Sequence, residues 1–191
     1  MISKSARCKR NINRRTIALR GRRLMLRPIR LADVGTLYLS WLRDPEVTQG
    51  LYSGGEKYTR AQLEKYVRSV LADKDALMFA IIERSSRNHI GNIKLDHIQA
   101  KHGTAELGVM IGDKACWHRG YGTESCRLLI DYAFKKIGLR KIIVAVFSNN
   151  VPSYAMFKKL GFKVEGCLKK HIFYRGKYYD KFFLSLFKKG S

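Results

Sequence analysis

Apolar side chains follow two kinds of pattern along the chain. In the first they occupy every second residue or form continuous runs, and in the second they recur every three to four residues. The first kind of pattern predicts β-strands and the second predicts amphipathic helices. The predicted strands cover residues 23–29, 76–83, 90–98, 104–111, 141–147, 164–173 and 178–187. The predicted helices cover residues 31–42, 60–71, 120–137 and 151–160.

Local signals mark the ends of these elements. Thr59 and Gln62 have the spacing of a capping box, and Asp44-Pro45 is expected to end the first helix. Residues 141–147 form a continuous apolar run, as in a strand that is buried on both faces. The order of elements indicates a single α/β domain (α+β mixed), with a mixed sheet of six to seven strands flanked by about four helices.

Composition and charge narrow the functional classes. The chain has 191 residues and is 46% hydrophobic, and its apolar runs are far shorter than the ~20 residues of a membrane span, so no membrane partner is expected. The 38 Lys and Arg against 15 Asp and Glu give a net charge of +23, which favours anionic ligands. Four cysteines without a CxxC pattern predict neither a zinc site nor a disulfide framework. Free thiols predict a reducing compartment, the cytoplasm.

The positive charge is concentrated at the start of the chain. Residues 1–32 contain eleven Lys and Arg and no acid, and residues 1–21 lack apolar periodicity. We therefore predict a poorly ordered basic arm over residues 1–21 and a folded domain over residues 22–191. The arm could contact RNA or a ribosome through its charge, or could be an organelle transit peptide.

The most informative segment runs from strand 104–111 through Trp117-His118-Arg119-Gly120-Tyr121-Gly122-Thr123 into a helix. Two glycines two residues apart at a helix start let backbone N–H groups approach a ligand closely. Together with the helix dipole they predict an anion site suited to a pyrophosphate. The segment is neither a Walker A loop nor GxGxxG, and a simple tight turn is the alternative interpretation.

A second motif follows in residues 148–162. Its defining positions are Asn150, Ser153, Phe157, Lys159, Gly161 and Phe162. With the earlier Trp117-x-x-Gly120-x-Gly122, it resembles the GNAT superfamily of acetyl-CoA-dependent N-acetyltransferases. Residues 26–28 and 41–47 resemble the ribosomal-protein-acetyltransferase-like branch, which includes enzymes that act on protein N-termini, polyamines and nucleotide-linked amino sugars. The whole resemblance covers residues 22–188.

The resemblance implies a cleft for acetyl-CoA, the acyl-donor cosubstrate, where two parallel strands splay apart. The backbone of Met110, Ile111 and Gly112 would pair with the pantetheine. The pyrophosphate would be held by Arg119, Gly120, Tyr121, Gly122 and Thr123. Asn150 and Lys159 would contact the pantetheine arm and the phosphate side of the coenzyme.

Two positions depart from the family pattern. Trp117 replaces the usual Gln or Arg, and Phe157 replaces the Tyr that many relatives use to protonate the departing thiolate. A phenyl ring has no proton to donate. The resemblance therefore implies Ser153 as the proton donor, while a hydroxyl bonded to its own helix backbone is the structural alternative.

The attacking amine must be neutral, so its proton has to be removed by a base or through a water relay. Glu106 corresponds to a carboxylate that often serves there in this superfamily, and an ion pair with Lys94 or Lys101 is the alternative. Cys116 and Cys126 lack a motif-placed His–Asp partner, so a covalent enzyme intermediate is not expected. The resemblance implies no metal.

The predicted activity is direct transfer of an acetyl group to a primary amine. The expected acceptor is a small anionic amine such as a nucleotide-linked amino sugar. The alternatives are the N-terminus of a ribosomal or other protein and, in another class, a non-catalytic RNA-binding module on the same fold. A polyamine is a poorer fit, because a protein of net charge +23 repels a polycation. A homodimer is left open.

Overall fold

An eight-stranded sheet, ordered β1-β2-β3-β4-β5-β6-β8-β7, organises the chain. The computed structural model describes residues 17–51 and 58–190. The strands are β1 (Leu19–Arg20), β2 (Leu24–Pro28), β3 (Leu77–Glu83), β4 (His89–Gln99), β5 (Thr104–Ile111), β6 (Lys141–Phe147), β7 (Lys163–Tyr174) and β8 (Lys177–Phe187). Only β5 and β6 pair in parallel among the described strands, and every other neighbouring pair is antiparallel. The mixed sheet predicted from the sequence is confirmed, with one strand more than the upper estimate.

Five α-helices cover the sheet. They are α1 (Thr36–Arg43), α2 (Pro45–Thr48), α3 (Arg60–Ala72), α4 (Tyr121–Tyr132) and α5 (Val151–Lys159). Helices α4 and α5 pack on one face, here called the α4 face, and α1 to α3 pack on the opposite α1 face. In the part of the chain that the structure describes, no helix is long and apolar enough to cross a membrane.

The first helix begins later than predicted for residues 31–42. The carboxylate of Asp33 accepts the backbone N–H of Arg30 and binds both terminal nitrogens of the Arg27 guanidinium, at 2.6 and 2.7 Å. These bonds fix a 3-10 turn at Leu31–Asp33, so α1 starts only at Thr36. Side-chain hydrogen bonds thus override the helical spacing of the apolar residues.

The first helix ends at Asp44-Pro45 as predicted, and the same two residues start a second helix. The carboxylate of Asp44 accepts the backbone N–H of Glu46, and Pro45 occupies the first turn of α2, where its missing N–H costs nothing. This additional short helix gives five helices instead of about four.

The folded domain starts before the predicted boundary at Arg22. Residues 1–16 of the predicted arm lie outside the described residues. Leu19–Arg20, however, form β1 and pair with β2, and Leu19 packs against the core of the α4 face. The sheet therefore includes the last part of the segment that was assigned to the arm.

The prediction that residues 141–147 are buried on both faces is wrong. Ile142, Val144 and Val146 are buried against the α4 face, whereas Ala145, on the other side of β6, is exposed. No described residue of β6, β7 or β8 belongs to the core that α1 to α3 form, although Phe147 and Ser185 on this half of the α1 face are buried.

Glu124 joins the first turn of α4 to the start of β2. Its carboxylate accepts the N–H groups of Arg23 and Leu24 at 2.8 and 3.2 Å and the Nε of Arg23 at 2.9 Å. Burial opposes ionisation of this carboxyl most strongly, but the donors, foremost the N–H of Arg23, outweigh burial and lower its pKa. Glu124 thereby fixes the start of α4 relative to the sheet.

Replacing Glu124 with Gln should lower the free energy of unfolding by about 1–2 kcal/mol at pH 7, because hydrogen bonds to a charged acceptor are lost. A carboxyl whose pKa is lowered by folding stabilises the protein above its unfolded pKa, near 4.5, and loses that effect as the pH falls through the folded pKa. Urea denaturation at pH 7 and pH 3.5 should therefore show a smaller difference between the two proteins at the lower pH. Glu64→Gln, which breaks only a surface pair with Arg60, is the control and should change stability by at most about 0.5 kcal/mol. An equal loss for both variants would contradict this role of Glu124.

Candidate active site

Strands β5 and β6 separate halfway along β5. Their parallel pairing runs from Thr104↔Lys141 to Glu106↔Ile143, while β5 continues to Ile111. The carbonyl of Gly103 accepts the N–H of Lys141 on β6, whereas the N–H of Gly112 donates to Ile90 on β4. Because successive residues of a strand turn their backbone groups to opposite neighbours, odd-numbered residues of β5 face β6 and even-numbered residues face β4. Beyond Glu106, odd-numbered residues therefore face a gap.

This register shows which of the expected pantetheine contacts turn their backbone toward the gap. Of Met110, Ile111 and Gly112, only Ile111 turns its backbone toward the gap, and Val109, which the prediction omitted, does so as well. The Ile111 carbonyl already accepts the indole N–H of Trp117 at 2.8 Å. Gly112 lies beneath the ring of Trp41, where a Cβ would come within 2.0 Å of Cδ2, so packing explains this glycine.

The glycine loop starts α4 beside this gap. Gly120 has φ 77°, a left-handed conformation that favours glycine, and the N–H of Glu124 is bonded to its carbonyl. A Cβ on Gly122 would lie 3.1 Å from Sδ of Met156 in α5 and 3.8 Å from Ile111. The first-turn N–H groups of α4 thus end at a narrow space between β5 and α5, as the anion-site hypothesis requires.

The side chain of Tyr121 anchors this loop. The ring is buried, and its hydroxyl donates to the Glu83 carboxylate at the end of β3. Hydrogen bonds from the hydroxyls of Ser86 and Tyr121 lower the pKa of Glu83. The guanidinium groups of Arg23 and Arg119 lie 4.6 and 5.1 Å from the centre of the Tyr121 ring. Only the backbone of Tyr121 is therefore left for a phosphate, while Arg119 adds positive charge beside the loop.

Helix α5 directs one face toward the loop. The side-chain oxygen of Asn150 accepts the N–H of Ser153 and so caps the helix. Ser153, Met156 and Lys159 are three residues apart and share a helix face, and the contact between Met156 and Gly122 identifies this face as the one beside the loop. Lys159 is exposed in the last turn.

The two departures from the family pattern have structural explanations. Phe157 is buried and packs edge-on against Phe162 at 5.3 Å, so it belongs to the core. Trp117 closes the end of β5 through its bond to Ile111. The hydroxyl of Ser153 makes no hydrogen bond to the rest of the described chain, so it is not committed to its own helix backbone.

Glu106 lies on the α1 face of β5, next to the last pairing with β6. Its side chain is 57% exposed, and Nδ1 of the His97 ring lies 3.7 Å from its carboxylate. The ammonium of Lys94 binds Asp96 instead, and within residues 17–51 and 58–190 neither Lys94 nor Lys101 pairs with Glu106. The alternative that this carboxylate is held in a lysine ion pair therefore fails.

A cavity of about 280 Å³ opens on the same face, between α1, α3 and strands β3 to β5. Gly108 and Met110 border it on β5, and Asn92 and Lys94 border it on β4. Val109 turns its backbone to the gap and also lines this cavity. The gap and the cavity therefore meet at Val109.

The cysteines lie away from this arrangement. Burial raises the pKa of Cys126 to about 12 and that of Cys116 to about 11. Neither thiol is therefore poised as a nucleophile at neutral pH. Residues 17–51 and 58–190 contain no group of three or more metal-ligating side chains.

Three features of the site were missed in the sequence. Val109 was missed because the strand bounds, although predicted correctly, do not show which residues of β5 face β6; only the register does. Asn92 could have been noticed as a polar residue within an otherwise apolar strand. No local signal connects Glu83 with Tyr121, which are 38 positions apart.

Comparison with known proteins gives one consistent result. The family described as Acetyltransferase (GNAT) domain matches residues 23–163. The uncharacterized N-acetyltransferase p20 of Bacillus licheniformis is 30% identical over 171 residues, which are 87% of this chain and 94% of that protein. A GNAT-family acetyltransferase from Bacillus anthracis superposes with a TM-score of 0.77 at 23% identity, covering 90% and 98% of the two chains. Spermidine N-acetyltransferase from Vibrio cholerae, solved with CoA and spermine, gives 0.79 at 22% identity, covering 87% and 96%.

Proposed function

We propose that this chain transfers an acetyl group directly to a primary amine at the gap between β5 and β6. The chain belongs to the acetyltransferase (GNAT) family and is an acetyl-CoA-using acyltransferase. The observation that carries this proposal is the juxtaposition of the gap with the glycine loop at the start of α4. A ligand with a pyrophosphate at one end and a thioester arm at the other matches that arrangement.

We propose that the glycine loop, the edge of β5 and one face of α5 hold the coenzyme. The N–H groups of Gly120 to Thr123 hold the pyrophosphate, and Arg119 adds a charge-assisted contact. The N–H groups of Val109 and Ile111 hydrogen-bond the pantetheine amides or the thioester oxygen, as a strand edge pairs with an added strand. The helix face with Asn150, Ser153 and Lys159 borders the other side of the arm.

The transfer needs two proton movements. A neutral amine attacks the thioester carbon, and the carbonyl electrons move to the oxygen to give a tetrahedral intermediate. Glu106 accepts the amine proton through a relay of several waters, because its position four residues before Met110 places its backbone roughly 13 Å away along the strand, beyond the reach of one bridging water. Collapse of the intermediate breaks the C–S bond, and the thiolate takes a proton from Ser153 or from water.

The acceptor expected from net charge alone was a small anionic amine such as a nucleotide-linked amino sugar. Such a ligand would find no free positive charge in the described lining of the cavity beside the gap, because its one cation, Lys94, is already bound to Asp96. The protein N-terminus, the stated alternative, therefore becomes the leading candidate. A purely RNA-binding role is not favoured by any described feature of the site.

The test is a thiol-release assay. The purified full chain is mixed with acetyl-CoA and pools of peptides, small amines, polyamines and amino-sugar nucleotides, and free CoA thiol is measured together with the mass of the acetylated product. Acceptor-dependent thiol release with an N-acetylated product supports the proposal. Failure to bind acetyl-CoA in calorimetry, or binding without thiol release with any pool, would contradict it.

Direct transfer predicts that the buried thiols are dispensable. The double variant Cys116→Ser/Cys126→Ala should retain kcat within about threefold, because neither sulfur contacts the reacting groups, whereas removing a covalent nucleophile typically costs several orders of magnitude. The measurement is steady-state thiol release for the variant and the unmodified chain, with melting curves to confirm folding. Loss of kcat beyond 100-fold in a folded variant would indicate an acetyl-cysteine intermediate.

A further inference from the structure

The cavity on the α1 face is mainly apolar. Its lining includes Tyr38, Leu42, Leu63, Met78 and Met110. Apolar side chains on both its helical and its strand walls favour a ligand whose body is itself apolar, because burying that body removes nonpolar surface from water.

One polar group in this lining lacks a partner. Asn92 is 4% exposed, and its Nδ2 has no hydrogen-bond acceptor among the described residues. The orientation of the amide follows from His89, whose Nε2 lies 2.9 Å from the Gly91 carbonyl and 3.0 Å from Oδ1 of Asn92. Since a carbonyl only accepts, Nε2 carries the proton, and the oxygen of Asn92 must face it. A buried amide N–H group is thus left to donate to a ligand.

The described lining of the cavity offers no counter-charge to a cationic ligand body. Its lining within the described residues contains no carboxylate, and its one charged side chain is Lys94. The Lys94 ammonium binds Asp96 and lies 5.8 Å from the centre of the Tyr66 ring, so this charge is already balanced. Among these residues a polyamine finds no counter-charge, and a free carboxylate would have to compete with Asp96.

Gly108 leaves an open path along β5. Residues 106, 108 and 110 share the α1 face, with Glu106 at one end and Met110 at the other. A Cβ on Gly108 would contact only the side chain of Lys94, at 3.6 and 3.7 Å. The absence of a side chain at this position connects the carboxylate of Glu106 with the cavity and the gap.

We propose that this cavity binds the first residue of a polypeptide, with a large apolar side chain in the cavity and its carbonyl oxygen accepting from Nδ2 of Asn92. The α-amine then lies at the part of β5 where the cavity meets the gap. This inference rests on the proposed acetyl transfer and names its acceptor, the N-terminal α-amine of a chain that begins with a residue such as Met or Leu. The product is the N-acetylated peptide and free CoA.

A comparison of acceptors that differ in charge and in the first residue tests this inference. Pentapeptides that differ only in the first residue, Met, Leu, Ser or Asp, are compared with free methionine, methioninamide, spermidine and an amino-sugar nucleotide. We expect kcat/KM at least tenfold higher for the Met and Leu peptides than for the Asp peptide and spermidine. Methioninamide should exceed free methionine, because its neutral carbonyl does not compete with Asp96. Preference for spermidine, the nucleotide sugar or free methionine would overturn the inference while leaving acetyl transfer intact. No thiol release with any acceptor would overturn the proposed function and the inference together.

Two variants locate the acceptor. Gly108→Val should raise KM for the Met peptide at least tenfold and leave the Kd for acetyl-CoA unchanged, because the added methyl groups enter the path between Glu106 and the cavity. Asn92→Leu should also raise KM for the Met peptide, and it should reduce the advantage of methioninamide over free methionine. Gly166→Val on β7, where a Cβ would meet nothing within 4 Å, is the matched control and should change neither constant. An unchanged KM for a folded Gly108→Val protein would show that the acceptor binds elsewhere.

Discussion

Replacing Gly122 with valine should lower the affinity for acetyl-CoA at least about 100-fold. The side chain would occupy the narrow space between the loop, Ile111 and Met156, and would keep the pyrophosphate away from the backbone N–H groups. Losing two hydrogen bonds to a charged group costs about 3 kcal/mol, which corresponds to roughly 100-fold in Kd. Titration calorimetry with acetyl-CoA measures this change directly.

The choice of glycine matters for this experiment. Gly120 has φ 77°, so a β-branched residue there would strain the backbone and confuse loss of binding with loss of folding. Gly122 has no positive φ, and a new Cβ meets the flexible end of Met156. Gly166→Val serves again as the control. Unchanged coenzyme affinity in a Gly122→Val protein with a native melting curve would remove the loop from the coenzyme site.

Replacing Glu106 with Gln should lower kcat about 100-fold with little change in the Kd for acetyl-CoA, since general-base catalysis typically contributes 10²–10⁴-fold. The structure strengthens this expectation because Glu106 is accessible and is not held in a lysine ion pair. The variant should recover part of its rate as the pH is raised, because a larger fraction of the amine is then already neutral. Steady-state rates across pH, measured with one saturating acceptor, test both points.

Glu165→Gln provides the control for this experiment. Its carboxylate is bound to Lys141 on the β6–β8 half of the same sheet face, so Glu165→Gln removes the same charge at a distance from the gap. The two variants should differ about 100-fold in kcat. Equal rates, or a Glu106→Gln protein that is mainly destabilised, would assign Glu106 a structural role.

Much of the fold could be predicted because local patterns and tertiary packing agree along most of the chain. Strand 104–111 has the bounds that the sequence predicted, and the helix after Thr59 begins with the expected capping box. The failures lie where side chains compete with the backbone pattern. Asp33 binds Arg27 and replaces the first turn of α1, an interaction that hydrophobic spacing cannot reveal.

The glycine loop could be predicted because its chemistry is local in the sequence. The residues that face the gap could not be assigned correctly without the register, since a shift of one position in β5 exchanges Val109 for Met110. The cavity was also beyond prediction, because Asn92, Tyr38 and Gly108 are brought together only by packing of α1 on the sheet. The likeness to a family indicated the activity and the candidate acceptors, and the packing around the cavity gave the reason to prefer one of them.

Backbone amide NMR during an acetyl-CoA titration tests the central assignment most directly. If the coenzyme lies in the gap between β5 and β6, the largest shifts should fall on the amides of Gly120 to Thr123, Val109 and Ile111. The amides of Gly108 and Met110, which face β4, should move much less and should keep their exchange protection. Saturable binding with its largest shifts away from the gap and the loop would contradict this account, as would equal responses of odd- and even-numbered residues in the second half of β5.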